Sequence, residues 1–304
     1  MRIQALSLMG LVCTVALAMV PTARAQDWEA VEITTRQVAP GVYMLMGRGG
    51  NLGVSVGDDG VFLIDDQYAP LTDKIVAAIR AISDGPIRFV INTHWHGDHT
   101  GGNENLGKTG TLIVAHDNVR RRMSVDQFIA GLDLQVAASP QAALPVVTFS
   151  ETVTFHLNGD ELYVFHVEHA HTDGDAVIHF RESNVVHAGD IYFAGGYPFI
   201  DVSSGGSIDG TIAAVDQVLA LVDDDTAIIP GHGELSNKAE LSEYRAMLAG
   251  VRDAIAAEIA KGASVDEVVA ARPTAPWDEQ WGSAWTNPEQ FTRHVYSDLS
   301  NIEY

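Results

Sequence analysis

The sequence predicts an α/β chain folded as a four-layer αββα sandwich. Three observations lead there. Short β-patterned segments alternate with amphipathic helical ones, and the same order of strands followed by helices recurs in both halves of the chain. A polar run, His94-Trp95-His96-Gly97-Asp98-His99, then follows directly on an apolar strand pattern, the place where active-site loops of α/β folds gather. Two sheets packed face to face, with helices covering their outer faces, satisfy that pattern.

The first element is one that the mature chain is expected to lack. Arg2 supplies a positive charge, an apolar run extends from Leu6 to Val20, and Pro21 with Ala23-Arg24-Ala25 gives the break and small-x-small pattern of a signal-peptidase site. The run is too short to span a bilayer comfortably. Residues 1–25 therefore read as a cleaved leader, the mature chain starts at Gln26, and the protein is expected in the periplasm or outside the cell with no stable membrane anchor. The leader holds Arg2, Arg24 and no acidic residue, so its loss takes the formal charge from −22 to −24. It also holds Cys13, the one cysteine, which excludes disulfides, thiolate ligands and cysteine nucleophiles from the mature chain. With 40 acidic against 18 basic residues, the chain repels phosphate backbones, and a nucleic-acid partner is not expected.

Strands are expected over 42–46, 52–57 and 61–64, with Asp58-Asp59-Gly60 as a hairpin turn. Pro70 opens a helix whose Ile75, Ala78, Ile79 and Ile82 share one face, and Asp84-Gly85-Pro86 ends it. A buried strand over 87–92, a strand over 111–115 and helical material over 117–129 complete the first half. The second half reads as strands over 152–157, 162–167, 176–180 and 185–188, a helix over 208–221, a short strand over 227–229, and helices over 238–260 and 265–271. Residues 26–272 thus form the main domain. Residues 273–304 read as a helical extension, whose Trp277, Trp281 and Trp285 recur every four positions and form a face packed on that domain.

The histidine run carries the chemistry. On an extended backbone, residues two apart point the same way, so His94 and His96 can grip one ion. Gly97 permits a sharp bend that brings Asp98 and His99 towards a second position. Imidazole nitrogens and carboxylate oxygens are donors that zinc accepts readily.

That run resembles the signature of the metallo-β-lactamase superfamily, and similar motifs follow the superfamily's order over nearly all of residues 30–245. They are Asp65 at a strand end, His171 in His169-Ala170-His171-Thr172-Asp173-Gly174-Asp175, Asp190 in Ala188-Gly189-Asp190, and His232 in Pro230-Gly231-His232-Gly233. The resemblance implies one zinc held by His94, His96 and His171 and a second by Asp98, His99 and His232, with Asp190 touching both and iron as the alternative metal. Asp65 would orient a ligand from behind, and Asp98 would also orient the nucleophile or relay a proton. The implied reaction is attack on the carbonyl of a small molecule by water activated between the ions.

Asp190 stands where the broad-spectrum β-lactamases of this superfamily use cysteine, and Phe193 where they place a lysine for the drug's carboxylate. The activity expected first is β-lactamase-like opening of cyclic amides or esters, weak on β-lactams themselves; the alternatives the resemblance implies are thioester or lactone hydrolysis of the glyoxalase II type and persulfide dioxygenation at a single iron. His169 competes with His171 on strand alternation. Asn103, Asn105, Tyr192 and Tyr197 are placed near the pocket. His116, His156, His166, His179, His187 and His294 read as structural, and the oligomeric state is left open.

Overall fold

Apolar alternation in the N-terminal half builds a sheet. The computed structural model describes residues 27–300, so the leader over 1–25 and the start at Gln26 lie outside the described residues. Strands β1 (Thr34–Ala39), β2 (Val42–Met46), β3 (Leu52–Gly57) and β4 (Gly60–Ile64) run antiparallel. Helix α1 (Thr72–Arg80) then crosses over and sets β5 (Ile87–Ile91) parallel to β4. Helices α2 (Gly97–Thr100) and α3 (Asn103–Lys108) lead to β6 (Leu112–His116), α4 (Asp117–Met123), a separate ribbon of β7 (Gln127–Ile129) and β8 (Leu134–Val136), and β9 (Val147–Phe149). The sheet order is β1-β2-β3-β4-β5-β6-β9.

The second sheet starts with β10 (Thr152–Leu157), β11 (Asp160–His166), β12 (Ala176–Phe180) and β13 (Val185–Phe193). Helix α5 (Ile208–Leu221) sets β14 (Ala227–His232) parallel to β13, and β15 (Ser236–Asn237) closes the order β10-β11-β12-β13-β14-β15. Helices α6 (Lys238–Ile259), α7 (Val265–Ala271), α8 (Asp278–Trp281) and α9 (Pro288–Ser300) end the chain.

Period-two alternation sorts each strand's side chains into layers. Val42, Met44, Ile64 and Ile91 meet Leu162, Val164, Ile178 and Val185 between the sheets. Their neighbours Leu45, Leu63 and Val90 face the other way, onto Ile75 and Ile79 of α1. On the second sheet Val177, Val186 and Ala188 face Val215 and Val218 of α5 and Leu248 and Val251 of α6. The expected αββα order is what the chain adopts.

Several elements differ from the sequence reading. The helix expected over 117–129 stops at Met123, where Ser124 Oγ donates to the Arg120 carbonyl at 2.6 Å, and 127–129 pairs instead with 134–136. Strands β13 and β14 run beyond 188 and 229 to Phe193 and His232, because their polar residues face a buried site rather than solvent. The three tryptophans do not share one face, since α8 spans a single turn. Trp281 is buried 5.6 Å from Tyr244, Trp277 packs over Gly250, and Trp285 is 67% exposed. Along α9, Phe291 stacks on Tyr197 at 4.8 Å.

His294 of α9 packs edge-on against Phe199 at 5.2 Å, and burial pushes its imidazole down to about 4. The folded chain thus holds this ring neutral, whereas the unfolded chain protonates it below about pH 6.5. Its contribution to stability is full above that pH and is lost as pH falls from 6.5 towards 4. At pH 5.5 the loss is about 1 kcal/mol. Thermal melts of the wild type and His294→Gln between pH 7 and 5.5 should show the variant's Tm falling less, by about 2–4 °C.

Candidate metal centre

Loops at the ends of strands from both sheets converge on one point. Asp65 follows β4, His94 and His96 lie in the loop after β5, and Asp98 and His99 sit in the first turn of α2. His171 follows β11, Asp190 lies in the last half of β13, and His232 ends β14. His96 keeps an extended backbone and helix geometry begins at Gly97, so the short run delivers side chains in two directions.

Three imidazoles meet edge to edge. His94 Nε2 and His171 Nε2 lie 3.2 and 2.9 Å from His96 Nδ1, and the ring planes cross at 86–88°. A second group forms beside them. His232 Nε2 lies 3.4 Å from both His99 Nε2 and Asp98 Oδ2, and Asp98 Oδ2 is 3.7 Å from His99 Nε2. Asp190 stands between the groups. Its Oδ2 is 3.8, 3.6 and 3.4 Å from His94, His171 and His232, and its Oδ1 is 3.1 Å from His99 Nε2.

The donor set fits a pair of divalent ions. Each ring of the first group has its other nitrogen occupied. His96 Nε2 faces Asp201 Oδ2 at 2.9 Å, His171 Nδ1 faces the Phe199 carbonyl at 2.7 Å, and His94 Nδ1 faces Thr93 Oγ1 at 3.0 Å. Thr93 Oγ1 itself donates to Asp65 Oδ2 at 2.7 Å, so it accepts from His94. All three lone pairs therefore point inward at one another, a mutual repulsion that a cation relieves. Asp190 Oδ1 is buried near His99 but misaligned with it, and it accepts no hydrogen bond. The surrounding backbone is cut to make room: a Cβ on Gly50 would lie 2.0 Å from the His99 ring, and one on Gly231 2.0 Å from Asp190 Oδ1.

Electrostatics follow the same division. Burial, reinforced by His99, holds His94 well below the usual imidazole range, and burial pushes His171 down to about 4. Both are thus free bases at neutral pH. Burial also opposes a charge on His99 and His232, but Asp190 and Asp98 outweigh it, holding His99 well above that range and raising His232 to about 9. Those protons occupy the ground that a second cation would take, and a bound metal would displace them.

Two carboxylates behind the rings set their angles. Asp65 Oδ1 accepts from the Thr93 amide at 2.7 Å, and its Oδ2 lies 2.7 Å from His99 Nδ1. Asp201 holds His96 and also accepts from Ser203 Oγ and the Ser204 amide. Sequence reasoning placed Asp65 but missed Asp201, which lies 105 positions from its histidine with no local motif to mark it. It also missed Asn51, whose side chain donates to the carbonyls of Pro230 and Gly233 at 2.9 and 2.8 Å and pins the His232 loop. The glycine-rich stretch before Asn51 was the available signal. Changing Asp201 to Asn, which keeps shape and loses charge, is expected to weaken divalent-ion binding about 10–100-fold. Competition with a chromophoric chelator measures this.

His169 turns outward to the Gly205 carbonyl at 2.9 Å, which leaves His171 as the inward residue of its loop. Tyr197 lines the cavity above the centre, but Asn103 bonds Asn92, Asn105 bonds Thr72, and Tyr192 bonds Ser236 away from it. His116 and His166 stack on each other at 3.7 Å, and His187 bonds the Asn51 carbonyl. The cavity has a volume of about 650 Å³, with Asp98, Asp190, His96, His171 and His232 in its wall.

The family model described as the metallo-beta-lactamase superfamily matches residues 46–232, the span from β2 to the last histidine of the centre. The chain belongs to the metallo-beta-lactamase superfamily. Among curated members it is similar to a hydroxyacylglutathione hydrolase of Polaromonas sp. (strain JS666), 29% identical over 58% of this chain and 60% of that protein. A second hydroxyacylglutathione hydrolase, from Nitrosococcus oceani, is 32% identical over 55% of this chain and 57% of its own length. The chain thus spans under two thirds of these relatives. Among solved structures, a stereoselective inverting sec-alkylsulfatase from Pseudomonas sp. superposes with a TM-score of 0.68 at 18% identity, covering 87% of this chain and 50% of that one. A metallo-beta-lactamase from Pontibacter korlensis gives 0.58 at 18% identity, covering 72% and 99%. These two likenesses bear on the metallo-beta-lactamase fold alone.

Proposed function

We propose that the chain is a two-zinc hydrolase that cleaves a thioester or ester, lactones included, of a small molecule. The position of Asp190 carries the reading: one carboxylate lies between two complete donor groups at the floor of a cavity. Bound divalent ions would supply an acidified water and an electrophile for the carbonyl oxygen. The chain's own residues do the rest. Asp65 and Asp201 fix the imidazoles against rotation. Asp98, whose carboxylate is partly exposed to the cavity, is placed to take a proton from incoming water and return it to the leaving atom. Phe193, stacked on His232 at 4.9 Å, and Phe199 keep bulk water from the reacting carbonyl. The hydroxyacylglutathione hydrolases among the relatives support a thioester ahead of a cyclic amide.

Cyclic amides are the second reading, favoured by Arg48. It is the one lysine or arginine in the cavity wall among the described residues, and it offers a carboxylate-bearing ring a partner that Phe193 does not. The complete second group of Asp98, His99 and His232 supports two ions over the single iron of a dioxygenase. Protein purified without added metal should carry about two zinc ions and hydrolyse thioesters faster than a chromogenic cephalosporin, with both activities lost on chelation. Near-stoichiometric iron with sulfur-dependent oxygen uptake, or turnover that survives exhaustive chelation, overturns it. The leader pattern supports a periplasmic or secreted enzyme. N-terminal sequencing of protein from the periplasm should begin at Gln26.

A further inference from the structure

The cavity has two unlike ends. Arg48, Gly49 and Asp98 line the side near His232, and Gly49 packs against Asp98. The wall beside the three-imidazole group is apolar, built from Ile129, Leu132, Leu134 and Val136 of the β7–β8 segment together with Phe199 and Trp285. Phe199 bridges the two ends. Its ring is 6.1 and 6.0 Å from the rings of His96 and His171, and 5.7 Å from Trp285, edge to face. A continuous apolar path therefore runs from the donor nitrogens to the mouth.

This path is left open to water at its outer end. Trp285 is 67% exposed, Leu134 46% and Leu132 38%. The β7–β8 ribbon belongs to neither main sheet and is held from below by a bond from the Ala130 amide to Ser203 Oγ at 3.1 Å. Exposed apolar clusters of this kind on a cavity rim mark a ligand surface. Charge at one end and an apolar channel at the other fit an amphiphile, with its reacting polar group at the centre and its tail between ribbon and indole.

We infer that the substrate carries a long apolar chain, acyl or alkyl, that lies between the β7–β8 ribbon and Trp285. This deepens the hydrolase reading by naming a substrate class, and it rests on that reading only where turnover is measured. Two homologous thioester series test it on zinc-loaded protein: S-acyl N-acetylcysteamines from acetyl to decanoyl, and S-alkyl thioacetates from ethyl to decyl. In at least one series kcat/KM should rise about threefold per methylene, mainly through KM. Trp285→Ala and Leu134→Ser, both at exposed positions, should flatten that rise and leave the acetyl rate unchanged. A binding arm needs no turnover: decanoate, unlike acetate, should perturb tryptophan fluorescence in the wild type and not in Trp285→Ala.

Turnover that is indifferent to chain length in both series, with no fluorescence response, overturns the chain pocket and leaves the hydrolase standing. Decanoate binding that depends on Trp285 without any hydrolysis does the reverse. Capture of phosphatidylcholine vesicles with no response to soluble decanoate also overturns the inference, because the apolar rim would then meet a lipid surface.

Discussion

Asp190→Asn is expected to lower kcat/KM about 10³-fold, equivalent to about 4 kcal/mol of transition-state stabilisation. The side chain keeps its shape, but its charge faces His94, His99, His171 and His232 at once. A neutral amide would hold two cations far less tightly than a carboxylate, and its NH2 would cap the imidazole lone pairs that a cation would use. Bound metal should fall from about two ions towards one, read by metal analysis beside steady-state kinetics. A variant that retains both ions and loses less than about tenfold would move the catalytic weight away from this carboxylate.

The second large effect lies one layer back. Asp65→Ala is expected to destabilise the fold by about 3–5 kcal/mol, lowering Tm by roughly 10 °C, and to weaken metal binding about 10–100-fold. Asp65 is fully buried and ties the Thr93 amide, the Thr93 hydroxyl and His99 together. Alanine leaves all three without their partner in a place water cannot reach. The residue also sits at φ 57°, a left-handed conformation that asparagine tolerates and alanine resists. Asp65→Asn should recover only part of that stability and still bind metal less tightly: its one oxygen can accept from His99 and the Thr93 hydroxyl, but its NH2 then faces the Thr93 N–H, donor against donor. Melts and chelator competition on the two variants separate these effects. Equal stability of Asp65→Ala and the wild type would show that the strand end holds itself.

What was legible in the sequence was what local periodicity and short motifs encode. Alternation gave the strands that flank α1 and α5, since a half-buried sheet must present apolar residues every second position. The run from His94 to His99 marked a candidate metal centre by itself, because two imidazoles two residues apart on extended backbone share a direction. The helix reading over 117–129 failed where β7 pairs with β8, a contact that one segment alone does not encode.

The chain order alone settled which residue types would gather, and it marked Asp65, His171, Asp190 and His232 by their motifs. Only the tertiary structure decided how they meet. Asp201 reaches His96 from 105 positions away, and Trp285 leaves its expected packing face to stand at the cavity mouth. The reason is that a carboxylate's or an indole's role depends on what the packing of two sheets brings beside it. That proximity is set by hundreds of weak contacts acting together, and no single window of sequence contains it.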